Sequence, residues 1–263
     1  MGSASREALA QSTKALAALG AQATAQVGTE LLNASAVIAD APGLRAAIVD
    51  PAVEAEPKRA LIGKLFGGFT PATQQLLAGV AQARWSNADE LVTGIEELGI
   101  RAEAHAAGSD SLDDELLAVN VLIGGNHELE LTLGSKLGDA DAKVALAERV
   151  FGSKISEPAA RIVAHIVRNA RGRRIGALLT NAAELVADQA GKSLATVTVS
   201  APLDAARQER LSATLSATVG RPVKLTFVVD PALLGGMHVR IGDNVIDGSV
   251  SARLNDLRQQ LAS

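Results

Sequence analysis

Cysteine and tyrosine are absent from this 263-residue chain, tryptophan occurs once, at Trp85, and aromatic residues make up only 2%. Without cysteine there can be no disulfide, no thiolate nucleophile and no cysteine-bound metal, which fits a reducing compartment. So few aromatics argue against a stacking platform for single-stranded nucleic acid and leave aliphatic side chains to fill the core. There is no excess of positive charge: the formal net charge is −4 and the sequence pI about 5.6. Nucleic acid is therefore not the default partner. No apolar run reaches the ~18 residues that a membrane-spanning helix needs. The first residues lack the basic start and apolar stretch of a secretory signal, so no direct membrane insertion is expected.

What is present is aliphatic. Apolar residues make up 48% and charged residues 21%, enough to bury a core and unlike a disordered polyelectrolyte. The length suggests about two domains. From Ser5 to Ala39, Leu9, Leu16, Leu19, Val27, Leu31 and Ile38 recur at helical spacing and predict two helices. Ala41-Pro42-Gly43 breaks the pattern, a short helix carries Leu44, Ala47 and Ile48, and Asp50-Pro51 ends it. A further helix is expected from Glu56 to Phe66, stopped by Gly67-Gly68. Thr70-Pro71 then opens another, with threonine as cap and proline at the first helical position.

Ser156-Glu157-Pro158 repeats that opening, as a duplicated segment would. At an offset of 85, ungapped, 11 of 38 positions are identical, from Glu30-Leu31-Leu32 against Glu115-Leu116-Leu117 to Phe66-Gly67 against Phe151-Gly152. Shared apolar patterning explains part of this, and the unbroken register points to a duplicated helical unit. The division expected is an N-terminal helical bundle over 1–107, a second, repeat-like unit over 108–191 and a further domain over 192–263. In the second copy Ile162, Val163, Ile166 and Val167 form an apolar stripe, so Arg161, His165 and Arg168 are expected to point away from the core.

After Gly191 the period changes to two, as Leu194 to Ala201 alternate in the manner of a strand. Asp204 to Val219 reads as an amphipathic helix. Val223 to Val229 is a β-branched run broken by Asp230-Pro231 and Gly235-Gly236; a second run follows, turned by Gly242-Asp243-Asn244 into Val245-Ile246-Asp247. Val250, Leu254, Leu257 and Leu261 give a closing helix its apolar stripe. The fold class is thus a mainly α N-terminal bundle followed by a small α+β C-terminal domain.

Candidate chemistry is sparse. Gly191-Lys192-Ser193 lacks the upstream glycine of a phosphate loop, that position being Val186, and reads as a helix stop. Gly235, Gly236 and Gly242 precede a strand and have the wrong spacing for a dinucleotide fingerprint. The histidines at 105, 127, 165 and 238 are dispersed, so neither a metal nor a cofactor is expected. Asp243 and Asp247 suit turns better than an acid and base pair. Arg168, Arg171, Arg173 and Arg174 are the one basic cluster, favoured here as a solvated loop over a phosphate or acidic-partner site. No nucleophile stands beside a base, so no catalytic residue is assigned.

The C-terminal stretch carries a resemblance. Val223, Leu225, Val229, Asp230, Leu233, Gly235, Gly236, Met237, Val239, Arg240 and Gly242, continued by Asp243, Asp247, Gly248, Ser249, Val250, Leu254 and Leu257, are similar to the C-terminal motif of the ATP synthase delta subunit family. The mitochondrial equivalent is the oligomycin-sensitivity-conferring protein. The N-terminal part resembles the family's helical domain through the helix before Asp50-Pro51 and the pair Lys58-Arg59. It departs by carrying a second copy of most of that bundle. The resemblance implies a non-catalytic stator subunit of an F-type ATP synthase, peripheral on the cytoplasmic face of a bacterial plasma membrane. It also implies a cap on the F1 head that receives the N-terminal segment of an alpha subunit and engages the C-terminal end of the b subunit. Leu9, Thr13, Leu16, Leu76, Leu77 and Val80 are the expected groove for the first partner, and Leu254, Leu257 and Leu261 the expected contact for the second. The alternative is a helical adaptor or RNA-associated scaffold acting through the arginine cluster.

Overall fold

The computed structural model describes residues 1–135, 138–231, 233, 235–242 and 244–247. Among them lie twelve α-helices and four strands, the strands all after residue 190, and contacts divide the chain into Met1–Val186 and Ala187–Ser263.

The first unit is helical because alanine and leucine at helical spacing leave each segment one apolar face to bury. In order it comprises α1 (Ser3–Ala18), α2 (Ala25–Asp40), α3 (Pro42–Val49), α4 (Ala55–Leu65), α5 (Pro71–Gln82) and α6 (Ala88–Ala107), then α7 (Leu112–Gly124), α8 (His127–Gly134), α9 (Ala140–Phe151), α10 (Glu157–Arg168) and the greater part of α11 (Ile175–Gln189). Side-chain caps set many of the starts: Thr70 Oγ1 accepts from Thr73 N, Asn87 Oδ1 from Glu90 N at 2.8 Å, and Asp139 Oδ1 from Ala142 N at 2.8 Å. Gly108 ends α6 in the left-handed region, φ 54°, where a β-carbon would be strained.

The helices recur in order. α1, α3 and α4 start at Ser3, Pro42 and Ala55, and α6, α8 and α9 start at Ala88, His127 and Ala140, each 85 residues on. A tertiary tie recurs with them. The Glu30 carboxylate of α2 accepts from Thr70 N at 3.0 Å and from Thr70 Oγ1 at 2.7 Å, and Glu115 of α7 accepts from Ser156 N at 2.6 Å. Each acid therefore holds the amide at the cap of a helix 40 or so residues away in sequence, α5 in one repeat and α10 in the other. Around Glu30 burial favours the protonated form, but hydrogen bonds from Thr73, Thr70 and Gln26 outweigh it and hold the pKa below the usual carboxylate range.

The repeats pack into one another. α2 and α6 lie side by side through most of their length, and α10 touches α6 and α2. Gly28 and Gly99 permit the α2–α6 approach: a β-carbon on Gly99 would meet Leu32 at 2.8 Å. Leu31, Leu77, Leu91, Ile95 and Leu98 fill the first core, at most 1% exposed.

The second unit holds β1 (Ser193–Val199), α12 (Ala205–Val219), β2 (Val223–Val229), β3 (Met237–Ile241) and β4 (Asn244–Asp247). The sheet order is β2-β1-β3-β4, with β1 parallel to β2 and antiparallel to β3. β1 is central because its sequence is the most completely buried: Ala195, Val197 and Val199 join Leu215 of α12, Val223 and Val239 in a small core. The parallel β1–β2 pair needs a crossover, and α12, capped by Asp204 and stopped by Gly220 at φ 79°, supplies it. The expected closing helix, with Val250, Leu254, Leu257 and Leu261, lies outside the described residues.

Candidate functional site

Two features of the helical unit stand out as places where chemistry or binding could occur: an open groove in the first repeat and a buried charge cluster between the repeats.

The groove lies between α1 and α4 with α5 as its floor, and encloses about 1080 Å³. Its walls are small. Ala15, Ala60, Gly63, Ala78 and Gly79 line it, and a β-carbon added to Gly63 or Gly79 would meet nothing within 4 Å. Both glycines sit inside helices, where glycine costs about 0.5–1 kcal/mol relative to alanine, and here they widen the floor and wall. Gln11, Gln75 and Gln82 form much of a neutral polar rim, and Glu56 and Arg59 face one another across 3.9 Å.

Of the residues expected to form this site, Leu76 and Val80 line the groove, though each is only 1–3% exposed. Leu16 and Leu77 are core side chains at 2% and 1%, while Leu9 and Thr13 are half-buried and outside the lining. α1 contributes Gln11, Ser12, Ala15 and Leu19 instead. Leucine spacing marks the face a helix buries first, so it pointed to the core, whereas the groove is signalled by small residues on the adjacent face.

The charge cluster overturns two expectations. His165 and Arg161 do not point away from the core. His165 is buried, and its Nε2 lies 3.0 Å from Glu96 Oε1. Asn169 Nδ2 sits 3.0 Å from the His165 carbonyl and 3.2 Å from His165 Nδ1. A carbonyl can only accept, so that amide nitrogen donates, Nδ1 accepts, and Nε2 carries the proton given to Glu96. Arg171 Nη2 and Arg173 Nη1 each donate to Glu96 Oε2 at 3.0 Å. Burial alone would raise the Glu96 pKa, but the His165 and Arg173 hydrogen bonds and the arginine charge lower it to about 2. The arginine cluster is thus no simple solvated loop: two members neutralise a buried acid, and Arg168 pairs with Asp141. Two helical turns further along α6, Glu103 is fully buried and receives Arg161 Nε at 3.1 Å, Arg161 Nη2 at 2.8 Å and Thr29 Oγ1 at 2.9 Å. The i, i+7 spacing of Glu96 and Glu103 on α6, against i, i+4 for Arg161 and His165 on α10, was readable in the sequence; what hid it was the assumption that charge on an amphipathic helix faces water.

In the second unit the motif residues shape turns and pairing. Gly235, Gly236 and Gly242 have φ of 132°, 80° and 55°, conformations that suit glycine. Asp230 N donates to Val199 O at 2.9 Å and Leu233 N to Asp230 O at 3.1 Å, turning the chain after β2. Val239 is buried opposite Val197, Arg240 pairs with Thr196 in register, and Asp247 lies exposed opposite His238. Asp243, Gly248, Ser249 and Val250 are outside the described residues. Gly191 ends α11 at φ 73°, as its reading as a helix stop requires.

A helical repeat pair with an open groove, followed by a four-stranded α+β unit whose glycines serve turns, defines a binding protein without a constellation of reactive groups among the described residues. Comparison with known proteins agrees with that class. The profile of the ATP synthase delta (OSCP) subunit family matches residues 10–107 and again 101–261. The chain is 45% identical to the ATP synthase subunit delta of Leifsonia xyli over 263 residues, covering 100% of both, and 35% identical to that of Streptomyces griseus over 270 residues, again covering 100% of both. Among solved structures, a chain of the Toxoplasma gondii mitochondrial ATP synthase hexamer matches with a TM-score of 0.41 and 20% identity, over 62% of this chain and 97% of that one. The chain belongs to the ATP synthase delta (OSCP) subunit family. It is a non-catalytic stator subunit, part of the peripheral stalk of an F-type ATP synthase. No described helix is long and apolar enough to cross a membrane, in keeping with a peripheral position.

Proposed function

We propose that the α1–α4–α5 groove receives the N-terminal segment of an alpha subunit of the F1 head and that the C-terminal region engages the C-terminal end of the b subunit, on the cytoplasmic face of the plasma membrane. In this reading 1–107 is the receiving bundle, 108–191 a second repeat, and 192–263 the stalk-facing domain, so the chain ties the catalytic head to the membrane sector. Rotation of the central rotor would otherwise drag the head round, and resisting it is a task for binding energy and stiffness.

The observation that carries the reading is the groove itself. Its length along α5, small walls and neutral rim suit an amphipathic helix that brings its own bulky apolar side chains at i, i+3 or i+4 and i+7. For the b subunit, support comes from edge strands β2 and β4, where Val228, Val229, Val245 and Ile246 are 46–54% exposed, and from the apolar stripe of Leu254, Leu257 and Leu261. The test uses the full chain and a fluorescent peptide spanning the N-terminal segment of the alpha subunit. Saturable binding that Gly63→Leu removes, with the melting temperature unchanged, is expected; absence of binding rejects the groove assignment. Truncation after Asp247 should abolish affinity for a peptide spanning the C-terminal end of the b subunit, and unchanged affinity would sink the second assignment.

A further inference from the structure

The duplication allows the groove to be compared with its own counterpart. α5 and α10 have equal length and start behind matching caps, Thr70 and Ser156. Aligned on those caps, the floor residues Gln75, Gly79 and Gln82 of α5 correspond to Arg161, His165 and Arg168 of α10. α6, which starts 85 residues after α1, packs on α10 as α1 packs on α5. The α1 wall residues Gln11 and Ala15 thus correspond to Glu96 and Ile100.

Four of these five exchanges add bulk, and the fifth, Gln11 to Glu96, keeps its size and adds a charge. Where the first repeat has glycine on the floor, the second has His165, whose ring spans to Glu96 on the α6 wall at 3.0 Å. Arg161 reaches the same wall at Glu103, and Arg168 reaches the opposite wall at Asp141 of α9. On the α9 wall, Gly63 is replaced by Glu148, and a pocket between α9 and α10, beside Phe151, Val163 and Ala164, holds about 10 Å³, no more than a single water could enter. Against that remnant stands the groove of about 1080 Å³ in the first repeat.

We propose that, of the two helical repeats, only the first keeps a helix-accepting groove, and that the second has converted the same groove into an internal joint gripping α6. The occupant is one amphipathic helix per chain, presenting bulky apolar side chains to the small-walled floor; the second repeat accepts none. This rests on the reading of the first groove as a receptor. The charges that close the second site are the same ones that hold the repeats together, so closing it and stiffening the pair are one structural act.

Calorimetric titration of the full chain with a peptide spanning the N-terminal segment of the alpha subunit tests it. One peptide per chain is expected, with Gly79→Leu weakening binding at least 100-fold. Two peptides per chain, or appreciable binding surviving in Gly79→Leu, overturns the proposal. A peptide that never binds would reject the alpha-segment reading, and closure is then read without it. The natural chain has no cysteine, so Gly79→Cys and Ala164→Cys each offer one thiol. Maleimide labelling at least tenfold faster at position 79 supports the closed joint; equal rates overturn it, provided circular dichroism shows both variants folded.

Discussion

Arg161 of α10 closes on Glu103 of α6 through Nε and Nη2, at 3.1 and 2.8 Å, and Glu103 has no exposed surface at all while Arg161 keeps a quarter of its side chain in water. The pair is asymmetric. Arg161 also reaches the exposed Glu157 at 2.7 Å, whereas Glu103 relies otherwise on the hydroxyl of Thr29. Removing the arginine strands a buried charge; removing the acid leaves a cation with somewhere to go. Arg161→Ala is therefore expected to cost about 3–5 kcal/mol and Glu103→Gln less, about 1–3 kcal/mol. Urea midpoints for the two variants check the order.

Acid should act through Glu96. Its folded pKa of about 2 lies below its ordinary value of 4.5, so the carboxylate contributes stability above pH 4.5 that is lost as pH falls from there towards 2. The contribution is on the order of 3 kcal/mol. Glu96→Gln is expected to be less stable at pH 7 and to lose less between pH 5 and 2.5, measured by denaturant titration at each pH.

The two helix-cap ties differ in strength. Thr70 Oγ1 caps Thr73 N at 3.4 Å and also donates to Glu30 at 2.7 Å, while Ser156 Oγ sits 3.5 Å from Ala159 N and Ser156 gives Glu115 its amide alone, the acid's other oxygen accepting from Ser111 Oγ at 3.2 Å. A cap is worth about 1 kcal/mol, so Thr70→Ala should cost about 1–2 kcal/mol and Ser156→Ala under about 1 kcal/mol, read from thermal unfolding.

Glycines of the first repeat separate into two kinds. A β-carbon on Gly94 would fall 2.3 Å from the ring of Trp85, whose indole N–H donates to Val80 O at 2.8 Å. Gly94→Ala should destabilise by about 1–3 kcal/mol and shift the fluorescence of the lone tryptophan. Gly79→Ala faces open space and should stabilise by about 0.5–1 kcal/mol. Opposite signs in the two melting temperatures are expected.

How far the sequence reaches can be judged from these same residues. Proline and glycine punctuation at Asp50-Pro51, Thr70-Pro71 and Gly220 marked helix ends within a residue or two, because the signal is local. The period-2 run from Leu194 and the turn glycines marked the sheet, though not its order, since pairing β1 between β2 and β3 is a long-range choice. The small-residue walls of the groove and the charge cluster were hidden for one reason. Both depend on which faces of two distant helices meet: Glu96 with His165 lie 69 positions apart, and Gly63 with Gly79 become a cavity only when α4 and α5 pack. Single-helix patterning sees one partner of each encounter.

α6 begins 85 residues after α1, packs with α1 and α2 as the last helix of one repeat, and packs with α10 as the first helix of the next. The family match reflects this, its two segments overlapping between residues 101 and 107. A helix counted twice means that the duplication lengthens the protein by five helices where an independent copy would bring six. Neither repeat can be cut out whole without taking a helix from the other. Growth of this kind is additive at one end, like a course of bricks laid on the last, and a third repeat sharing α11 in the same way would extend the row without a new linker.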